Sequence, residues 1–376
     1  MSSGNNIFML VVFIMFATAL AVQLGYYLWF YLAPVIYRPD RKESFSGGVS
    51  VIICARNEAE NLRKHLPAIL EQDYPDFEVI VVNDCSEDSS DEVLGELLPR
   101  YPKLHVSNIT KDPRFTHNKK FAQFIGIKAA RNEILVFTDA DCKPVSDKWL
   151  KGIVSHFGDE TAFVLGYGGY TAGKGLLNSL IRYDSMFIAM QYLGMAIRGV
   201  PYMGVGRNLA YRKSVFFANK GFGPFYNILS GDDDLFVNSI AKGPDTKVEF
   251  THETHTRSVP ANSVGEWVKQ KRRHFTTARY YKARDKALLV SEPASRLIFY
   301  AAAIILFASG YLWQVTLGLF LLRVILYHYI VVMIQKRLNE NKLIHLSLIF
   351  DIFSPLINSA LYLGNFGNRP GNAGWK

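Results

Sequence analysis

Asp139 and Asp141 stand one residue apart at the end of an apolar run, Ile134 to Thr138. Carboxylate oxygens at this spacing suit a hard divalent cation, Mg2+ or Mn2+, held directly or through water. Asp232, Asp233 and Asp234 form a second acidic cluster just before Leu235. Carboxylates this crowded repel one another, which raises at least one pKa and equips a member of the cluster to accept a proton. An acidic cap at the start of a helix is the plainer account of the same residues. Gln270, Arg272 and Arg273 form a third set, and Lys119 and Lys120 a fourth. Guanidinium groups bind paired oxygens such as those of a diphosphate. His252-Glu253-Thr254-His255 lacks the His-Glu-x-x-His spacing of a zinc site and reads as strand. Cys54, Cys85 and Cys142 form no CxxC pair and end apolar runs, so they read as buried reduced thiols.

The elements that must carry these residues alternate. Val49 to Cys54 is a continuous apolar run of strand length, as a strand buried on both faces requires. Asn57 to Gln72 follows with Leu62, Leu66, Ile69 and Leu70 at helical spacing. Phe77 to Val82, Leu104 to Ser107 and Ile134 to Thr138 read as further strands, with helices over Ser89 to Leu98 and Lys119 to Ala130 between them. That order predicts an α/β fold with a mostly parallel sheet. Ligands bind such sheets beyond the carboxyl ends of the strands. Ala55-Arg56-Asn57-Glu58, Asn83-Asp84 and Asp139-Ala140-Asp141 should therefore meet in one crevice. A dinucleotide-binding fold is excluded at its first turn, which carries no Gly-x-Gly-x-x-Gly, and no Gly-x-x-x-x-Gly-Lys-Ser/Thr loop occurs.

The chain has 376 residues, is 49% hydrophobic and carries a net charge of +9. Its ends are nearly free of charge. Ile7 to Ile36 reads as a membrane anchor, and Arg38, Arg41 and Lys42 after it place the rest in the cytoplasm. Leu297 to Ile334 has the length of two spans with a turn at Ser309-Gly310. Leu343 to Leu363, with Asp351 and Pro355, reads as one more span, kinked or partly interfacial. A full crossing would put the C-terminus opposite the α/β region, yet Arg369 and the closing Gly-Trp-Lys look cytoplasmic. The basic cluster from Lys269 to Lys286 suits an anionic leaflet. No nucleic-acid motif accompanies it, so nucleic acid is not expected as a partner.

Seven ordered stretches resemble the inverting family 2 glycosyltransferases: VSVIICARNEAENL, VVNDCSEDSSDE, NKKFAQFIGIKAA, VFTDADCKP, GVGRNLAYRK, SGDDDLFVNSIA and WVKQKRRHF. The resemblance covers roughly Gly48 to Phe275. It implies a GT-A nucleotide-sugar-binding fold between N- and C-terminal transmembrane helices. The parts would be an anchor with its basic flank (1–45), a catalytic domain (46–262), a juxtamembrane region (263–296) and a C-terminal membrane region (297–376).

The resemblance also implies roles. The base is Asp232 by the motif's spacing, or Asp233 by a shift of one. The donor, a UDP- or GDP-sugar, would meet Ala55, Asn57, Glu58, Asp84, Lys120, Asp139, Gln270 and Arg273. The metal would sit on Asp141 and Asp139, with Asp141 the direct ligand. Arg207, Tyr211 and His274 would line the acceptor side. His274 stands where processive synthases carry a Trp, which weighs against processive synthesis. The expected reaction is inverting transfer to a lipid-linked or envelope saccharide acceptor at the cytoplasmic membrane face. A processive synthase and a non-catalytic membrane subunit are the alternatives.

Overall fold

A computed structural model describes residues 3–39, 45–111, 118–228 and 230–364. Arg41, Lys42 and Arg369, on which the topology was partly read, lie outside them.

The first half alternates as the periodicity predicts. Strand β1 (Val49–Ala55) leads through α3 (Ala59–Leu70) to β2 (Phe77–Asp84), through α4 (Ser90–Leu97) to β3 (Leu104–Ile109), and through α5 (Lys119–Ala129) to β4 (Ile134–Asp139). Helices α1 (Ser3–Gly25) and α2 (Ala33–Ile36) precede them. All residues of β1 and β2 are buried, which is why both are mostly apolar, and Ser50 and Glu78 pair with each other where they interrupt the runs. After β4 come β5 (Lys143–Pro144), α6 (Trp149–Val154), β6 (Phe163–Gly166), β7 (Gly168–Tyr170) and the long α7 (Leu176–Ile197). Then β8 (Leu209–Arg212), α8 (Lys213–Ala218), α9 (Asp234–Ile240), β9 (Thr246–Glu249) and β10 (Thr256–Ser258) complete the domain.

The main sheet has the order β3-β2-β1-β4-β8-β6-β9. Its first four strands are parallel, and β8 runs antiparallel to β4 and β6. A small sheet, β5-β10-β7, stands beside it. In register, Ala55 faces Asn83 and Cys54 faces Asp139, so three strands end together at one rim. One correction concerns His252 to His255. His252–Thr254 is a 3-10 turn, not a strand. His255 is buried, with its Nε2 2.8 Å from the Phe250 carbonyl oxygen.

Helix α10 (Val264–Ala278) follows, then α11 (Ala283–Ser309), α12 (Trp313–Arg337) and α13 (Ser347–Leu363). Among the described residues, four helical segments are long and apolar enough to cross a membrane: Gly4–Ile36, Ala283–Ser309, Trp313–Arg337 and Ile344–Leu363. Gly310, at φ 68°, closes α11 in the left-handed region, as the Ser309-Gly310 signal predicts. The helices are tied by buried charge. Arg323 and Arg296 both pair with Asp351, and Arg296 also with Glu292. Gln23 of α1 accepts from Arg323 and donates to the Ser295 carbonyl.

Candidate active site

The carboxyl rim of β1, β2 and β4 carries the predicted crevice. Asn57 and Cys85 sit at φ 55° and 53°, where the chain turns sharply out of β1 and β2. The two turns lock together: the Asn57 amide donates to Ser86 Oγ (2.9 Å), and the Glu87 amide donates to Asn57 Oδ1 (2.7 Å). Glu58 donates its amide to Ser90 Oγ and accepts from Asn61. Ala55 and Asp84 are fully buried at the strand ends. This is a rigid cradle, made before any ligand arrives.

Asp139 ends β4. Lys119, the first residue of α5, reaches it at 2.7 Å and reaches Asp232 Oδ2 at 3.2 Å. Its ammonium therefore bridges the two acidic clusters. Burial alone would lower the Lys119 pKa, but Asp139, Asp232 and Asp233 hold it well above the usual value. Asp139 is held below the usual carboxylate range: burial would raise it, and Lys119, then Arg207 and Arg273, outweigh that.

Ligand atoms of Asp139, Asp141 and Cys142 lie within 4.8 Å of one another. Burial pushes the Cys142 thiol well up, and sulfur is a soft donor poorly matched to a hard cation. What remains is a pair of half-buried carboxylates, a donor set that fits a hard divalent cation.

The three aspartates divide their work. Asp233 caps α9, accepting from the Asp234 amide (2.8 Å) and, through its other oxygen, from the Gly206 amide (2.6 Å). A Cβ at Gly206 would lie 3.2 Å from that oxygen and 3.4 Å from Lys119 Nζ, which explains the glycine in GVGRN. Asp234 accepts from Thr277, from Tyr281 (2.6 Å) and from the Leu235 amide, so it fastens α9 to α10. Asp232 is buried, and its Oδ2 has the Lys119 charge beside it but no hydrogen-bond donor in line. Of the three, Asp232 has the unsatisfied oxygen.

Helix α10 closes the cleft. Gln270 donates to the Tyr170 hydroxyl (3.2 Å), and the Arg207 guanidinium stacks over the Tyr170 ring at 4.4 Å. Arg207 also donates to Ser258. Arg273 is exposed and close enough to Asp139 for its charge to act there. His274 is exposed, and crowding in the cleft, then Arg273 and Arg207, push its pKa down.

Two site expectations fail. Lys120 does not face phosphate. Its ammonium donates to the carbonyls of Phe225, Ile228 and Ser230, pinning the segment that leads to Asp232. Adjacent helix positions point about 100° apart, so only Lys119 turns to the rim. Lys120→Met is expected to lower stability by about 1–3 kcal/mol while changing donor KM by less than about twofold. Thermal unfolding beside donor kinetics checks this, and a raised KM at unchanged melting temperature would count against it.

Tyr211 is the second correction. It is fully buried on β8, its ring 4.5 Å from Phe137 and 4.9 Å from Phe236. It is scaffold and lines no acceptor cleft. Lys271, read as part of a basic juxtamembrane helix, is also buried, donating to Asp184 (2.6 Å) and Asn358 (2.8 Å). Sequence reasoning passed over Tyr170 altogether. Its only signal was an aromatic among glycines.

Comparison with known proteins agrees with this fold. Glycosyltransferase AglE of Haloferax volcanii is 30% identical over 225 residues, 59% of this chain and 70% of the relative. Probable glycosyltransferase YdaM of Bacillus subtilis is 27% identical over 262 residues, 67% of this chain and 60% of the relative. The solved mannosyltransferase PcManGT of Pyrobaculum calidifontis, in complex with GDP-Man and Mn2+, superposes with a TM-score of 0.57 at 18% identity, over 92% of this chain and 99% of that one. It shares the GT-A-like fold. The profile of glycosyl transferase family 21 matches residues 11–370, nearly the whole described chain. With a family 2-type fold, an acidic strand end and a bridged second acidic cluster in place, the chain belongs to glycosyl transferase family 21.

Proposed function

We propose that this glycosyltransferase moves a sugar, with inversion, from a nucleotide-diphosphate donor to a lipid-linked or envelope saccharide acceptor at the cytoplasmic membrane face. The observation that carries the reading is the Lys119 bridge. It fixes Asp139, on the diphosphate side, and Asp232, on the acceptor side, across one ammonium group. The β1 and β2 turns, with Asn57, Glu58 and Asp84, hold the nucleoside. Arg273 and Lys119 supply positive charge where the leaving diphosphate develops its negative charge. Asp232 takes the proton of the acceptor hydroxyl as its oxygen attacks the anomeric carbon, and the bond to the diphosphate oxygen breaks on the opposite face. A divalent cation on Asp139 and Asp141 would neutralise the leaving diphosphate.

The bound GDP-Man and Mn2+ of the Pyrobaculum protein favour a GDP-sugar and a divalent ion as the first pair to try. The membrane helices and the cationic α10 favour an acceptor delivered by the bilayer. The test uses full-length protein in lipid nanodiscs, screened against UDP- and GDP-sugars with Mg2+ or Mn2+. Nucleotide release and the anomeric configuration of the product are the readouts. An α-linked donor should give a β-linked product. Retention of configuration, or no release with any donor, would overturn the reading.

A further inference from the structure

Helix α13 has the length and hydropathy of a fourth span, yet both of its ends are fastened to the catalytic domain. Before it, the connection from α12 carries Glu340, fully buried between Arg182 of α7 and Arg257 of β10. Arg257 also donates to the Leu338 carbonyl (2.8 Å), and Tyr167 to Glu340 (2.9 Å). At the other end, Asn358 accepts from Lys271 of α10, and the Tyr362 ring stands against Phe275 at 6.1 Å. A Cβ at Gly364 would lie 3.6 Å from Arg272. Helix α10 is itself a wall of the active site, through Gln270 on Tyr170 and Thr277 on Asp234. A helix that crossed would carry its far end away from all of these groups.

The middle of α13 agrees. Asp351 meets Arg296 and Arg323, one on each arm of the α11–α12 hairpin. At 1.5 Å per residue Arg296 is about 20 Å and Arg323 about 15 Å from the hairpin turn, against a hydrocarbon thickness of about 30 Å. Asp351, held between them, therefore reaches no further than the bilayer centre from the catalytic side. The side chains of α13 also divide into two stripes. Ser347, Asp351, Ser354 and Asn358 face protein, and all four take part in hydrogen bonds there. Leu348, Ile349, Ile352, Phe353 and Leu356 are exposed together on the opposite side. The apolar stripe alone is left to meet lipid, and the two fastened ends set the direction in which the helix lies.

We propose that α13 is not a span. It lies in the membrane plane on the catalytic-domain side, its apolar stripe in the acyl region of the bilayer and its polar stripe bonded to α10, α11 and α12. The chain then crosses three times, with α1, α11 and α12, and residue 364 emerges on the side of the active site. The helix also forms the bilayer-facing wall of the groove between Tyr183, Asp184, Trp267 and Asn358. The inference rests on contacts within the fold and is independent of the donor and acceptor proposed above.

The test is accessibility to a membrane-impermeant maleimide in sealed inside-out vesicles, read peptide by peptide by mass spectrometry. Glu60→Cys on exposed α3 and Asn341→Cys in the α12–α13 connection mark the catalytic side, and Tyr311→Cys in the hairpin turn marks the other. Gly364→Cys should label with the first two, without detergent. Tyr311→Cys should gain at least about fivefold on permeabilisation, as a site behind a sealed bilayer must. Gly364→Cys labelling only with Tyr311→Cys would overturn the proposal. Protease clipping of a C-terminal epitope tag reads the same side without altering α13, and protection of that tag in sealed vesicles would also overturn it.

Discussion

Asp232→Asn is expected to lower kcat by about 10²–10⁴, the usual worth of a positioned general base. At 1.36 kcal/mol per tenfold, that is about 3–5 kcal/mol of transition-state stabilisation. Donor binding should survive, because Asp232 makes no contact with the β1 and β2 turns that hold the nucleoside. The substitution is nearly isosteric, so the acidic turn should keep its shape. Asp233 and Asp234 cannot stand in. Each spends its oxygens on backbone amides or on Thr277 and Tyr281. The same variant has a second signature, in stability against pH. Burial, then Asp232 and Asp234, push Asp233 up to about 7. Its unfolded value is about 3.9. Folding therefore favours the protonated acid, and stability from this group is lost as pH rises from about 4 through about 7. Removing the Asp232 charge lowers the Asp233 pKa, so the loss should be shallower in Asp232→Asn. Single-turnover transfer, donor titration and melting curves from pH 5 to pH 8 check these outcomes together. Retained turnover in Asp232→Asn with intact donor affinity would move the base elsewhere.

Strands β1, β2 and β4 were legible because burial on both faces writes a mostly apolar run. The boundaries of β1, β2 and β4 follow Val49, Phe77 and Ile134 closely. The positions of the acidic residues at the rim were legible from the strand ends, but not their division of labour: Asp233 caps α9 and Asp234 fastens it to α10. What the sequence hid was direction and distant pairing. Lys119 and Lys120 are chemically identical neighbours, and only the packing of α5 on β1 and β2 decides which one faces Asp139. Lys271 looks like any basic residue beside a membrane until Asp184 and Asn358, each 87 residues away, arrive at its ammonium. Tyr211 was placed in the cleft because its motif lies there. Its ring turns the other way, into Phe137 and Phe236, because alternate residues of a strand face opposite sides. The short strands β6 to β10 carry little periodicity of their own, and their pairing is set by register with distant strands.

Asp141→Ala should be nearly as damaging as loss of the base, but with a different dependence. The hard oxygen ligands offered to a cation at this rim come from two carboxylates, Asp139 and Asp141. One of the two, Asp139, already lies 2.7 Å from the Lys119 ammonium, so its charge is largely offset before any ion binds. Without Asp141 the rim holds one carboxylate against Lys119, Arg207 and Arg273. The rim then loses one unit of negative charge and one of its two oxygen ligands, so a divalent cation is held far less well. Turnover should fall by about 10²–10³, the range seen when one preorganised electrostatic partner of a transition state is lost. The metal concentration for half-maximal rate should rise by at least about tenfold, unlike in Asp232→Asn, where it should stay put. Asp141→Asn should recover part of the affinity, since an amide oxygen still ligates a hard cation. Nucleotide release measured across a Mn2+ titration separates the variants. If Asp141→Ala kept both its rate and its Mn2+ dependence, the cation would have to sit off the β4 rim. The Lys119 bridge would then join the base to a purely structural carboxylate.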